Sequence, residues 1–433
     1  MSFSLIDAAI AGRFSTDSLA ALAVGSSIYI TIYVTLMAVL QVTLPLFSEQ
    51  LGKKDWRQLK QIMLQSLWVW ALLSLLGFFC LRFPNPLMDL TSVPHESRTL
   101  SIDYLDVMAW NLPIVLLFRL FSSLAQSLGV PRLVSSIQVT ALVLKVPLTL
   151  WFTFGGMGLN AMGLEGCAAS TLVIQAMMTA VAMVFFVNHE AFNGLRLYPS
   201  NQIFNWKTIS QILSLGIPNG MTSAVEISSF TLMGLFISRL GPHATASHQI
   251  AASFAAFCFM VPMAFSVATS ARLSYWLGAG NMQRVREVIS AGYQWVFKLG
   301  LAIAALLLLS SQGLAGLFST DQEVSGLATQ LLMVVGVFHI GDGLQILGFF
   351  LLRSFRITWR PFVIYTATLW GLGLAGGYVL TYVDWLFPSM NNPIAFWYCS
   401  ATAMLISAFW LRALLMRILN QATNGEEKRK SRA

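Results

Sequence analysis

GIPNGMTSAVEISSFTLMGLFI, residues 216–237, reads as a membrane helix. A helix needs about 20 largely apolar residues to cross the hydrocarbon core of a bilayer, and this stretch supplies them with one ionisable side chain, Glu226, well inside. A charge at that depth costs several kcal/mol unless it faces a cavity or a partner. The stretch therefore sets two expectations together: the solvent is lipid, and Glu226 has a task. The full span runs from about 210 to 238. Working outward, ten more of the same kind lie at about 20–46, 61–81, 99–127, 133–155, 165–187, 247–271, 290–317, 324–352, 361–383 and 394–416.

Composition agrees. Of 433 residues, 56% are hydrophobic and 10% charged, against about 25% charged in soluble domains, and the mean hydropathy is +0.70. So few charges do not cover a water-facing surface. An apolar piece at residues 1–11 is too short to cross alone at about 1.5 Å per residue. It has no basic n-region or small-residue cleavage site, so it is not a signal peptide. It reads as the second half of a first helix whose native start lies upstream. The expected fold is an all-α polytopic membrane protein of about twelve helices, the first N-terminally incomplete.

The net charge of +8 is a topology signal rather than a nucleic-acid footprint. One set of connections holds Lys53, Lys54, Arg57 and Lys60, then Arg132, Arg196 and Lys207, then Arg272, Arg284 and Arg286, then Arg353, Arg356 and Arg360. The tail adds Arg412, Arg417, Lys428, Arg429, Lys430 and Arg432; the alternate connections hold only Arg13, Arg82, Arg98 and Arg239. This asymmetry places the basic set, and the C-terminus, in the cytoplasm of a cell whose inner membrane holds the chain.

An internal repeat follows at a displacement of 226 residues, with GRFSTDSLAALAVGSS over SRLGPHATASHQIAAS and SEQLGKKDW over SYWLGAGNM, without a gap. Identities fall at Arg13, Ala20, Ser27, Met37, Ala38, Thr43, Ser48, Leu51 and Gly52 and their counterparts. A period of six helices keeps both halves in one orientation, the parallel-repeat plan of some secondary transporters. Two pseudo-symmetric six-helix lobes are expected: an N-lobe at 1–187, a cytoplasmic linker at 188–208, a C-lobe at 209–418 and a basic tail at 419–433.

The ionisable residues inside spans are the candidates for chemistry. Glu226 is read as a carboxylate for H⁺, Na⁺ or a cationic substrate, or else as a structural ion-pair member. Asp342 sits mid-helix in VVGVFHIGDGLQILGFF between Gly341 and Gly343, which permit close approach of a backbone or an ion, with His339 on the same face. Asp7, in SLIDAAIAGR, is the third carboxylate. Lys145, in TALVLKVPLTLWF before Pro147, either neutralises Asp7 or snorkels to the interface. Arg119 and Lys298 read as snorkelling or local pairs. Thr149, Asn219, Gln249 and Gln345 are candidate cavity-lining groups, each also able to serve as helix–helix glue. Phe230, Phe254, Phe257 and Met260 lie near the same helices and suit flat cations.

No enzyme constellation is present in the sequence: no Walker A loop, HExxH or GxSxG. Cys80, Cys167, Cys258 and Cys399 stand singly in apolar runs, without metal-ligand or disulfide spacing. Direct ATP drive, a metal centre and a cofactor are not expected.

At LIDAAIAGRFSTDSLAALAVGSS, the paired SEQLGKKDW and SYWLGAGNM turns, GIPNGMTSAVEISSF followed by GPHATASHQIAASFAAFCFMVPMAF, and GDGLQILGFFLLRSFR, the chain resembles the NorM-type branch of the multidrug and toxic compound extrusion family. The resemblance implies monomeric export of cationic drugs or dyes in exchange for Na⁺ or H⁺, by alternating access between two lobes. It puts Asp7, Glu226 and Asp342 on the family's membrane carboxylates, with Glu226 and Asp342 as the C-lobe ion site. The chain departs from that pattern at LKVPLT, where Lys145 and Thr149 stand in place of asparagines, so the lysine replaces a bound cation as the partner of Asp7 and leaves the C-lobe to couple. The alternative within the superfamily is a flippase for a lipid-linked saccharide, against which the deep carboxylates argue.

Overall fold

All eleven apolar spans are helices in the computed structural model, which describes residues 2–85, 88, 95–156, 158, 160–197, 204–384 and 388–430. The chain contacts divide it into two compact units, Met1–Gly220 and Met221–Ala433. No strand occurs among the described residues, as lipid requires when every backbone N–H and C=O must be satisfied within its own segment. Residues 198–203 of the expected linker and Arg432 of the tail lie outside the described residues.

Unit 1 begins with α1 (Ser2–Phe14), α2 (Thr16–Leu40), α3 (Thr43–Gly52) and α4 (Trp56–Arg82). It continues with α5 (His95–Ser127), α6 (Pro131–Phe154), α7 (Leu164–Asn188) and the short α8 (Asn193–Leu197). The long helix α9 (Trp206–Ser238) carries the division between the units. Its first half belongs to unit 1 and explains part of the GIPNG motif. A Cβ at Gly216 would meet the Val39 carbonyl oxygen at 2.6 Å, and one at Gly220 the Thr35 carbonyl oxygen at 2.9 Å. Two glycines one turn apart let α9 lie directly on the backbone of α2, the small-xxx-small contact of membrane helices. Asn219 closes the joint by donating from Nδ2 to the Ala38 carbonyl.

Unit 2 holds the rest of α9, then α10 (Pro242–Gly278), α11 (Met282–Phe318) and α12 (Gln322–Ser354). The next span is composite: α13 (Trp359–Thr366), a π-helical run (Ala367–Ala375) and α14 (Gly376–Tyr382). The last helix is α15 (Ile394–Lys430). Each unit has a hub. In unit 1 it is α5, packed on α2, α4 and α7; in unit 2 it is α12, packed on α10, α11 and α15. These are corresponding helices of the repeat, and α12 is buried along most of its length.

The repeat extends to individual hydrogen bonds. The spans Thr16–Gly52 and Pro242–Gly278 are both 37 residues long and stand in the 226-residue register. After each, the chain turns in one way. The amides of Lys53, Lys54 and Asp55 donate to the carbonyls of Glu49, Leu51 and Gln50, and those of Ala279, Gly280 and Asn281 to Tyr275, Leu277 and Trp276. Lys54 and Gly280 both take the left-handed conformation, with φ of 58° and 68°. Asp55 then caps α4 through the Gln58 amide at 2.9 Å, and Asn281 caps α11 through the Arg284 amide at 3.0 Å. A second pair of turns, one residue out of that register, repeats the device at Gly129 (φ 79°) and Arg356 (φ 62°).

Candidate functional site

Among the described residues, the carboxylates singled out in the sequence fall into two groups within the apolar spans, one in each unit. In unit 1, Asp7 on α1 meets Lys145 on α6, with Nζ 2.7 Å from Oδ1. Lys145 is wholly buried and Asp7 is 4% exposed. The helix α7 supplies the remaining partners: Lys145 Nζ donates to Thr171 Oγ1 at 2.6 Å, Ser170 Oγ at 2.9 Å and the Cys167 carbonyl at 3.3 Å. Thr149, one turn beyond Lys145, donates to the Lys145 carbonyl at 2.8 Å and lies 2.9 Å from Ser170 Oγ. Of the two sequence readings of Lys145, the partner of Asp7 is the one the structure holds; the ammonium does not reach for the interface. Asp7 also borders a small cavity with Ser4, Ala8, Ser26 and Tyr104.

In unit 2 the carboxylates are Glu226 on α9 and Asp342 on α12. Glu226 is half-buried and Asp342 is 4% exposed. The two lie within electrostatic reach of each other, and the buried Tyr365 on α13 lies within reach of both. His339 Nδ1 stands 3.5 Å from Asp342 Oδ2, long for a hydrogen bond. Among the described residues this is the one ion-pair-distance contact that either carboxylate makes. The geometry thus differs from unit 1, where a full ammonium is in contact. Gly341 does admit a backbone, since a Cβ there would lie 2.8 Å from the Leu405 amide nitrogen of α15; Gly343 packs against Pro262 and Val296. The backbone of α15 therefore approaches α12 closely at the residue before Asp342.

The remaining candidates scatter. Gln345 is buried one turn beyond Asp342. Gln249 is exposed on α10. Asn219 is buried in unit 1, with its side chain on Ala38. Phe230 packs edge-on to Phe338, and Phe257 is exposed. Arg119 donates from Nε to Tyr33 Oη at 2.8 Å, and Lys298 lies over the Trp295 ring. Cys80 is exposed and the other three cysteines are buried, all as free thiols.

Several residues near these groups carried no distinct sequence signal. Ser170, Thr171 and the Cys167 carbonyl complete the shell of Lys145. Around Glu226, Trp370 of the π-helical run donates from its indole nitrogen to the Val225 carbonyl at 3.2 Å, and Tyr365 stands close by. The glycine-rich WGLGLAGG at 370–377 is the one hint of irregular backbone there, and widened π-turns tend to occur near functional sites.

A family model described as MatE matches residues 1–151 and 218–379. The chain belongs to the MatE family. The matched residues include Asp7, Lys145, Glu226, His339 and Asp342, whereas Cys167, Ser170 and Thr171 fall outside them. This MatE chain is 32% identical over 420 residues to the "Probable multidrug resistance protein NorM" of Aromatoleum aromaticum, covering 96% of this chain and 91% of that protein. It is 29% identical over 399 residues to the "Multidrug resistance protein PmpM" of Pseudomonas aeruginosa, covering 90% and 82%. Its fold is that of solved MATE transporters. One in the bent conformation superposes with a TM-score of 0.85 at 16% identity, over 98% of this chain and 92% of the other. The Vibrio cholerae MATE transporter VcmN in its bent form gives 0.82 at 16% identity, over 97% and 93%.

Proposed function

We propose that this protein is a secondary active multidrug exporter of the inner membrane, which moves cationic amphiphilic compounds outward in exchange for Na⁺ or H⁺. The observation that carries the reading is the pair Glu226 and Asp342: two carboxylates at membrane depth, in one unit, with only His339 at ion-pair distance among the described residues. Such a pair attracts a cation of any kind, and a proton, a Na⁺ or a cationic drug satisfies it in turn. Competition for the same oxygens is the simplest form of exchange. Family membership and the names of the relatives, multidrug resistance proteins, support the substrate class.

In this reading the chain acts as a monomer with a cytoplasmic C-terminus and uses neither ATP nor a cofactor. The lobes at 1–187 and 209–418, joined through 188–208 and followed by the tail at 419–433, alternate access to sites near the midplane. Ion binding at Glu226 and Asp342 biases the two states only by its difference in affinity for them. The test is ethidium efflux from cells expressing the chain, with the Na⁺ and pH gradients varied separately. Efflux that depends on one gradient and is lost in Glu226→Gln at normal membrane abundance supports exchange at this pair. Full efflux in both Glu226→Gln and Asp342→Asn sinks it.

A further inference from the structure

Arg119 is a cation inside an apolar span with no anion to answer it. It lies on α5 in unit 1, and its Nε donates to Tyr33 Oη at 2.8 Å. Tyr33 stands near the middle of the span Thr16–Gly52. The guanidinium is therefore held toward mid-span rather than released to the bilayer surface, as a snorkelling arginine would be. Among the described residues no carboxylate comes within ion-pair distance of it, and the groups that act on it electrostatically are Tyr33 and Tyr29. A charge at such a depth is costly without a partner, and a neutral phenol compensates only part of that cost.

The neighbouring side chains fix this cation in place. Asn111, two turns before Arg119 on the same face of α5, donates from Nδ2 to Tyr29 Oη at 2.9 Å. Tyr29 and Tyr33, one turn apart on α2, stack with ring centroids 5.8 Å apart and planes 3° from parallel. Asn111 and Tyr29 are buried, so they steady Tyr33 and, through it, Nε. What is left over consists of donors. Arginine has five N–H bonds and no acceptor, and Tyr33 engages one of them. Tyr33 Oη accepts that bond, and among the described residues its own O–H meets no acceptor. Arg119 is half-buried, and the buried polar atoms that lack a partner include Asn111 Oδ1 but no nitrogen of Arg119, so Nη1 and Nη2 are accessible. Two parallel N–H bonds on a guanidinium edge match the two oxygens of a carboxylate, and the Tyr33 hydroxyl adds a further donor beside them.

We infer that Arg119 and Tyr33 form an anion subsite in unit 1 that takes the carboxylate of an amphiphilic ligand, so that the protein accepts zwitterionic amphiphiles as well as cationic ones. The depth of Tyr33 sets the subsite apart from lipid phosphates, and the planar fork favours a carboxylate over a spherical anion. The inference goes beyond the proposed function and rests on it only for the step from binding to export.

The experiment measures binding to the purified full chain in dodecyl maltoside at neutral pH, by fluorescence anisotropy with protein-free micelles as the baseline. Two dyes that share one xanthylium cation are compared: rhodamine B, which carries a free carboxylate, and its ethyl ester, which does not. The parent protein is expected to bind both. Arg119→Gln should weaken rhodamine B about tenfold or more, the loss of a hydrogen bond to a charged group, and leave the ester unchanged. Arg119→Lys, which keeps the charge without the fork, should weaken the acid less, and Tyr33→Phe should also weaken the acid alone. A parent that does not bind the acid overturns the inference. So does an Arg119→Gln protein that binds the acid as the parent does, or one that loses both dyes alike, as a purely structural arginine would. Should Arg119→Gln fail to accumulate, Arg119→Lys and Tyr33→Phe are measured in the same way, and an unchanged ratio of acid to ester binding in both overturns it. No ion gradient enters the measurement, so a failure of export in the ethidium assay leaves these ratios untouched and the two readings fall separately.

Discussion

A buried ion pair is weak evidence of stability in itself, but breaking one leaves a charge with no solvent. Removing one partner costs roughly 3–5 kcal/mol, whereas removing both costs far less. Asp7 and Lys145 meet that description at 2.7 Å. Asp7→Asn and Lys145→Met are each expected to lower the Tm strongly in choline chloride, and the double variant to recover most of the loss. A double-mutant cycle on thermal unfolding measures this; additive single losses would mean the two side chains do not interact. Glu226 behaves differently, because no ammonium among the described residues pairs with it. Glu226→Gln should leave stability and abundance near the parent value while efflux falls about tenfold or more, in the range of typical coupling energies. Normal stability combined with normal efflux would remove Glu226 from the exchange. Both carboxylates, and Lys145, were legible as charges within apolar runs, because few other reasons exist to keep a charge in lipid. Ser170 and Thr171 were not, since hydroxyl residues return bonds to their own helix throughout the chain, as Thr31 does to Ser27.

At the scale of elements, the two halves solve one turn with different residues. Gly280 takes its φ of 68° without cost, whereas Lys54 carries a side chain at φ 58°, a conformation that costs an L-residue about 1 kcal/mol or more. Lys54→Gly is therefore expected to raise the Tm slightly, and Gly280→Ala to lower it by the equivalent of about 1 kcal/mol, with opposite signs at equivalent positions. Thermal unfolding of the two variants side by side checks this, and shifts of the same sign would mean the turns are not equivalent. A larger effect belongs to the crossing of α9 on α2. Gly216→Leu or Gly220→Leu would drive a side chain into the carbonyls of Val39 and Thr35, forcing the helices apart, so loss of folded protein from membranes is the expected outcome. The spacing that makes the contact stood in the opening stretch, in which Glu226 drew the functional reading. Only the structure shows that the two ends of GIPNGMTSAVE serve different purposes, packing at Gly216–Gly220 and charge at Glu226.

For the molecule as a whole, legibility follows from what lipid demands. Length and apolarity alone located all eleven described spans, because a bilayer permits one solution to the backbone hydrogen-bond problem over such lengths. The repeat was legible at few identities because its strongest constraint is on turns and caps, and those tolerate substitution: Asp55 and Asn281 cap equally well. The composite span of α13 and α14 was not legible as such, since a π-helical run has the same apolar content as an α-helix. The Tyr365 and Trp370 contacts it presents were hidden among aromatic residues that make up 12% of the chain. The repeat carries a firm consequence for topology. Between the turn at Lys54 and the turn at Gly280 the chain passes through six spans: α4, α5, α6, α7, α9 and α10. An even number of crossings returns the chain to its starting side, and both turns are flanked by basic residues, Arg57 and Lys60 in one and Arg284 and Arg286 in the other. Alkaline phosphatase, active only outside the cytoplasm, should thus be inactive when fused after Lys54 or after Gly280, and active when fused after Ser319, one span further on. Activity at one of the two repeat turns but not the other would break the six-span period, and with it the equivalence of the two halves on which the parallel-repeat reading stands.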